Sequence, residues 1–318
     1  MMRTAWLLLT RALVALAAAA REPDGTLGLL RAPHELRPAV AAPGESFEVL
    51  LRAPATLRLV RDGVETVLAV DDLGPAPQGR RVRATLPANC APGIYALAAV
   101  AQDTRDETAH CVFVRATPEA YYVLAHVGDY AAAGAPLRAL AGDEAQLMLL
   151  TGNLTATGAP AEFRALLDAA RACTIPVYAT RGPADGAATA RAFLGPPVFA
   201  FRFGPDGYLG FDSARPAPGA AAEGALQATR RAILPLRWST AFTHRFDGAL
   251  TMRTQLTLLV DTPLDYWLCT TAPTVEGRPL NPWGDTRVVP TPQVRYVDVT
   301  ARGILVRAPV AEAAAPAE

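Results

Sequence analysis

Lysine is absent from all 318 residues, so every one of the thirty basic side chains is arginine, and thirty aspartates and glutamates balance them. A formal charge of zero supplies no strong field for nucleic acid or anionic lipid, and no nucleic-acid partner is expected. The arginine-only usage, beside abundant alanine, proline and glycine, reads as coding bias without chemical meaning. Cysteine is sparse: Cys90, Cys111, Cys173 and Cys269 lie far apart with no C-x-x-C pair, which excludes a zinc ribbon. Cys90 and Cys111 share the first candidate domain, and a hairpin turning at residues 103–106 would set Cys111 near Ala98. Buried free thiols are therefore expected, with a Cys90–Cys111 bridge left open. Histidine is scarcer in effect, because the four copies are His34, His110, His126 and His244 and none follows His244. No uninterrupted apolar run reaches the ~20 residues of a spanning helix, so no integral membrane span is expected.

What is present is enough for two ordinary domains, since 318 residues that are 51% hydrophobic can fill two cores. Residues 1–20 form a different kind of sequence. Arg3 precedes an apolar stretch broken by Arg11, and Ala18-Ala19-Ala20 offers an A-x-A exit before Arg21. This is the pattern of a secretory signal, and it makes the mature chain secreted or periplasmic. A surface helix of a cytosolic protein is the alternative reading. No cysteine lies near the exit, which excludes a lipid-modified cysteine there. The tail 309–318, rich in Ala and Pro, is expected to be disordered.

Residues 27–116 read as an all-β sandwich. Short apolar segments at 46–51, 56–60, 64–69, 81–85, 94–100 and 109–114 are separated by turn signals such as Pro43-Gly44, Asp62-Gly63 and Pro92-Gly93. Leu57 and Leu59 flank Arg58, giving one buried and one wet face. The stretches "APGESFEV" and "APGIYALAAV" resemble edges of immunoglobulin-like or fibronectin-like modules.

After Thr117-Pro118 the pattern changes to α/β. Strand-like runs at 121–125, 146–150, 175–179, 198–202, 208–211 and 238–242 alternate with helical segments. The clearest helix starts at Pro160 and puts Phe163, Leu166, Leu167 and Ala170 on one face, and a second runs over 222–234. In such sheets ligands collect at the carboxyl ends of strands. Asp212-Ser213 reads as a strand end capping a turn, and Trp238, Trp267 and Trp283 read as packing residues.

Six segments in order, "YYVLAHVGDY", "LMLLTGNLTATGAPAEFRALLDAA", "IPVYATRGPADG", "FAFRFGPDGYLGFDS", "LQATRRAI" and "WSTAFTHRF", resemble the calcineurin-like metallophosphoesterases over residues 119–308. That resemblance implies a two-sheet αββα sandwich, following the all-β sandwich, and two metal ions activating a water against a phosphate ester.

The ligands the resemblance calls for are largely exchanged. Its first-motif aspartate falls on His126 and its histidine on Gly128, one residue before Asp129. The bridging aspartate falls on Asn153, a neutral carboxamide, where two dications require anionic oxygen. Gly182-Pro183-Ala184-Asp185 replaces G-N-H-D, so Pro183 and Ala184 offer no donor and Asp185 has a supporting role. The terminal histidine pair is missing, with threonines standing in the best candidate segment, 264–273.

These departures point to a degenerate member that lacks a dinuclear site. No cofactor is expected. If one ion is held, it is a single zinc, manganese or iron on His126, Asp129 and His244. Otherwise these side chains, with Asn153 and Asp185, satisfy loop backbones. Three readings of function stay open: an exported noncatalytic binding or scaffolding module, a phosphoesterase with a reduced metal site, and an adhesion protein acting through its β-domain. The partners left open are another protein or a cell-surface polymer.

Overall fold

The computed structural model describes residues 28–76, 79–213, 220–246, 263–272, 274–275, 278–279 and 285–307. The signal-like residues 1–20, the tail 309–318 and Trp283 lie outside the described residues. The chain divides into two compact units, Met1–Ala116 and Thr117–Glu318.

The first unit contains strands β1 (Leu30–Ala32), β2 (Ala39–Ala41), β3 (Ser46–Leu51), β4 (Thr56–Arg61), β5 (Val64–Val67), β6 (Ala69–Ala76), β7 (Gly79–Thr85), β8 (Gly93–Ala101) and β9 (Thr104–Val114). They form one sheet in the order β1-β3-β7-β6 and another in the order β2-β9-β8-β4-β5. Period-two alternation explains the packing. Phe47, Val49 and Leu51 of β3 and Val82 and Ala84 of β7 meet Leu57, Leu59, Leu97, Ala99, Val112 and Val114 of the opposite sheet in one core. Each large aliphatic chain buried there contributes about 1.5–3 kcal/mol. Asp62 and Gly63, both at positive φ, close β4 and β5 with a two-residue turn.

Three expectations need correction in this unit. Residues 64–69 are not one strand: Leu68 is buried, donates its N–H to Leu57 O at 3.0 Å, and marks where the chain passes from one sheet to the other. A continuous apolar run does not reveal such a switch. The β8–β9 hairpin turns at Gln102-Asp103, pairing Ala98 with Glu107, so Cys111 lies beside Tyr95 and Ala96 rather than Ala98. All four cysteines are free thiols, but Cys90 is half-buried while the other three are buried.

The second unit has β10 (Tyr121–Val127), β11 (Ala145–Leu150), β12 (Val177–Ala179), β13 (Val198–Phe203), β14 (Asp206–Phe211), β15 (Ser239–Arg245), β16 (Tyr266–Thr271), β17 (Thr274–Val275), β18 (Arg278–Pro279), β19 (Arg287–Pro290), β20 (Val294–Thr300) and β21 (Gly303–Val306). Its helices are α1 (Tyr130–Ala133), α2 (Leu137–Ala141), α3 (Pro160–Arg171), α4 (Ala187–Leu194) and α5 (Ala220–Ile233). Two mixed five-stranded sheets run β12-β11-β10-β20-β21 and β13-β14-β15-β16-β19, and β17 and β18 pair as a small ribbon.

The sheets face each other. Tyr178 stacks on Phe201 with centroids 3.5 Å apart, and Tyr122 meets Phe203 edge-on. Val123, Ala125, Met148, Leu150 and Val177, on the other face of the first sheet, are also buried. The crossovers between the parallel strands β10, β11 and β12 place α2 and α3 on that face. Phe163 of α3 stacks on Phe193 of α4. On the far side, Leu226 and Ile233 of α5 pack with Leu209, Phe211, Ala241, Trp267 and Cys269. The layers thus run helix, sheet, sheet, helix.

Pro160 opens α3, and Glu162 accepts hydrogen bonds from Thr157 N, Thr157 Oγ1 and Ala159 N at 3.1, 2.7 and 3.1 Å, satisfying donors that a helix start leaves open. At the amino ends of the strands, the Tyr122 and Tyr208 hydroxyls lie 2.5 Å apart. Tyr122 also bonds Asp206 at 2.9 Å, and the Arg237 fork grips Asp206 at 2.8 and 2.7 Å. Burial pushes both phenols upward, so they stay neutral, and the Arg237 charge answers the buried carboxylate.

Candidate functional site

The loops singled out by the sequence gather at the carboxyl ends of the strands, but as two separate constellations. The first lies between the sheets. Parallel pairing of β10 with β11 sets His126 and Leu149 on the inner face, and Thr151 follows two residues after Leu149 on the same face. His126 Nε2 lies 2.8 Å from Thr151 Oγ1, Thr151 Oγ1 lies 3.1 Å from Thr270 Oγ1, and Thr270 Oγ1 donates to Gly128 O at 2.9 Å. Each hydroxyl has one proton. Thr270 gives its proton to Gly128 O and Thr151 has Thr270 Oγ1 and Val127 O, 3.4 Å away, as acceptors, which leaves the donor role toward Thr151 to His126 Nε2.

His126 is therefore a neutral imidazole whose fully buried Nδ1 has no hydrogen-bond partner among the described residues. Burial alone pushes its pKa down to about 3. His244, buried at the end of β15, closes the same cluster. A Cβ on Gly152 would stand 2.1 Å from His244 Nδ1 and 2.7 Å from Thr270 Oγ1, so the imidazole occupies the space of a missing side chain.

The second constellation ties the loops after β10, β11 and β12 to one another. Asp129 caps α1 by accepting Ala132 N–H at 3.1 Å and accepts Asn153 Nδ2 at 2.8 Å. Asn153 sits at φ 22° and accepts Ala184 N–H on Oδ1 at 3.2 Å. Asp185, fully buried, accepts Leu154 N, Thr155 N, Thr155 Oγ1 and Gly182 N at 3.0, 2.8, 2.7 and 2.7 Å. Pro183 and Ala184 contribute backbone only. Asp212, directly after the end of β14, pairs with Arg181 Nε at 2.6 Å.

The residues present do not fit a pair of divalent ions. Both ends of the Asn153 carboxamide are engaged, and it carries no charge to place between dications. The space a side chain at Gly128 would take is filled by Thr291 O, 1.8 Å from the ideal Cβ. Among the described residues no three His, Cys, Asp or Glu side chains converge as a ligand set, and Asp129 is committed to Asn153 and α1 rather than brought together with His126 and His244.

Sequence reasoning did not single out Thr151, Thr270 and Gly152, which build the inner cluster. Its nearest signal was the threonine pair where a terminal histidine motif would begin. Trp267 is buried and donates Nε1 to Thr243 Oγ1 at 2.8 Å, while half-buried Trp238 donates to Thr300 O at 2.8 Å.

No family model and no curated protein matches the chain. Among solved structures, purple acid phosphatase PPD1 from yellow lupin (Lupinus luteus) seeds superposes with a TM-score of 0.48 at 10% identity, covering 82% of this chain and 69% of that one. Amylomaltase from Corynebacterium glutamicum gives a TM-score of 0.20 at 14% identity over 39% of this chain and 23% of its own. Both scores fall below 0.5, and the layer order of the fold rests on the chain's own strand pairings and packing.

Proposed function

We propose that the chain is an exported protein that carries a metallophosphoesterase-like second unit as a noncatalytic binding or scaffolding module, preceded by an immunoglobulin-like β-sandwich. One observation carries this reading: the residue standing where a bridging carboxylate is needed is a carboxamide, bonded through Nδ2 to Asp129 and through Oδ1 to Ala184 N–H. A neutral group held at both ends cannot draw two dications together, and single losses from an active site commonly cost about two to three orders of magnitude in rate.

The test is to purify the full chain with manganese, zinc or iron present, measure bound metal per chain, and assay phosphate mono- and diesters. Substoichiometric metal without turnover is the expected result. Two metals per chain, with turnover abolished by His126→Ala, would overturn it. Export is tested separately, by mass spectrometry of protein from the native host. A mature terminus near Arg21 is expected, and intact Met1 or Met2 on cytosolic protein would remove the exported part of the reading.

A further inference from the structure

Among the described residues, three of the four sheet edges in the first unit are blunted. β1 and β2 are three residues long, and β1 is irregular in register. β6 carries exposed Asp71, a register break between Asp72 and Gly74, and Pro75, all of which discourage pairing with another strand. β5 has no proline and no register break, and its one charge, Glu65, is paired within the same sheet. Its four residues are all exposed, Val64 by 68% and Val67 by 59%, and its register against β4 is unbroken.

The open hydrogen-bonding groups of this edge can be assigned. Leu68 N–H bonds Leu57 O, and the Asp62-Gly63 turn closes Arg61 on Val64. In an antiparallel pair the bonded positions alternate, so Val64, Thr66 and Leu68 are turned toward β4. Glu65 and Val67 therefore direct their N–H and C=O groups outward. The one charge on the strand is already balanced. Glu65 Oε2 accepts from Arg58 at 2.9 Å, and Glu65 Oε1 lies 2.8 Å from Arg105.

We propose that β5 is a self-complementary edge through which two copies of this chain pair antiparallel about a two-fold axis at Thr66. In that register Glu65 of one copy faces Val67 of the other, and each such pair exchanges both of its backbone hydrogen bonds. The arrangement is isologous, as a two-fold requires. Charge fits as well. Glu65 of the second copy comes to rest beside Val67, whose neighbour on β4 is Arg58, rather than against another carboxylate. Pairing through β6 would instead present exposed Asp71 to the partner. The two threonines at the axis face each other as a non-hydrogen-bonded pair, with Cα atoms about 4.5 Å apart.

The experiment uses the full chain. Sedimentation velocity from the micromolar range to about 1 mM should show a concentration-dependent dimer, in keeping with a small interface. Val67→Lys should weaken association at least about tenfold without changing the melting curve, because its side chain is exposed and lysine blocks edge pairing. In a Cys90→Ser background, Thr66→Cys should form a covalent dimer under mild oxidation, whereas Leu305→Cys, exposed in the second unit, should not. A chain monomeric at every concentration, a dimer that survives Val67→Lys, or equal crosslinking at both cysteines would overturn the proposal.

Discussion

Asn153 and Asp129 are joined by a carboxamide-to-carboxylate hydrogen bond, Nδ2 to Oδ2 at 2.8 Å, linking the loop after β11 to the loop after β10. Asn153→Asp removes that donor and sets a second carboxylate against the first. The variant should be less stable by about 1–3 kcal/mol at neutral pH in urea unfolding. The deficit should shrink as the pH falls, because one proton shared by the pair relieves the repulsion. A variant as stable as the parent at pH 7 would mean that this bond does not hold the loops.

His126 is held neutral by burial, which ties its contribution to pH. In the unfolded chain its imidazole titrates near the ordinary 6.5, but in the fold burial lowers it to about 3, so the unfolded state takes up a proton first. Its contribution is undiminished above about pH 6.5 and is lost as the pH falls from there toward 3, by up to about 1.4 kcal/mol per pH unit. His244 at the end of β15 and Arg295, the partner of His126 on β20, are the titratable groups on the neighbouring strands. Urea unfolding at pH 4 to 7 should give a slope of stability against pH that is smaller in His126→Asn by about one proton. Identical slopes would show that His126 is not the buried neutral group.

Gly152 is where the two sheets leave no room. A methyl group there meets His244 Nδ1 at 2.1 Å, and a buried ring between two sheets has little space to retreat. Gly152→Ala should lower stability by about 1–3 kcal/mol through overpacking. Thermal melting checks this, and combining it with His244→Ala should recover part of the loss, since the space is then free.

Asp185 accepts from four donors with no exposure. Asp185→Ala leaves three backbone N–H groups and a hydroxyl without their acceptor, at a cost of about 3–5 kcal/mol. Hydrogen exchange should show the amides of Leu154, Thr155 and Gly182 losing protection together. If only one of them does, the carboxylate is not the common anchor.

The elements that were legible in sequence are those whose periodicity matches their burial. β3 carries Phe47, Val49 and Leu51 at every second position, and α3 carries Phe163, Leu166, Leu167 and Ala170 at helical spacing behind Pro160. The turn at Gln102-Asp103 was legible only in Asp103, because glutamine is a poor marker for positive φ while Asp106 offered a stronger but false signal. The short helices α1 and α2 carry too few apolar positions to show a period. At the candidate site, His126, Gly128 and Asn153 could be singled out one by one. The Thr151–Thr270 bond was not, since it joins residues 119 positions apart and no local pattern records it. The asparagine was visible as a neutral residue. That its amide ties two loops required the geometry.

The group of Tyr122, Tyr208, Asp206 and half-buried Arg237 lies at the amino ends of the strands, away from the loops that carry Asp129, Asn153 and Asp185. The sheets are therefore fixed to each other at both ends, here through phenols and an ion pair and at the carboxyl ends through Thr151 and Thr270. A change at the rim leaves the amino-end group untouched, so the sheets keep one point of register whatever the rim loses.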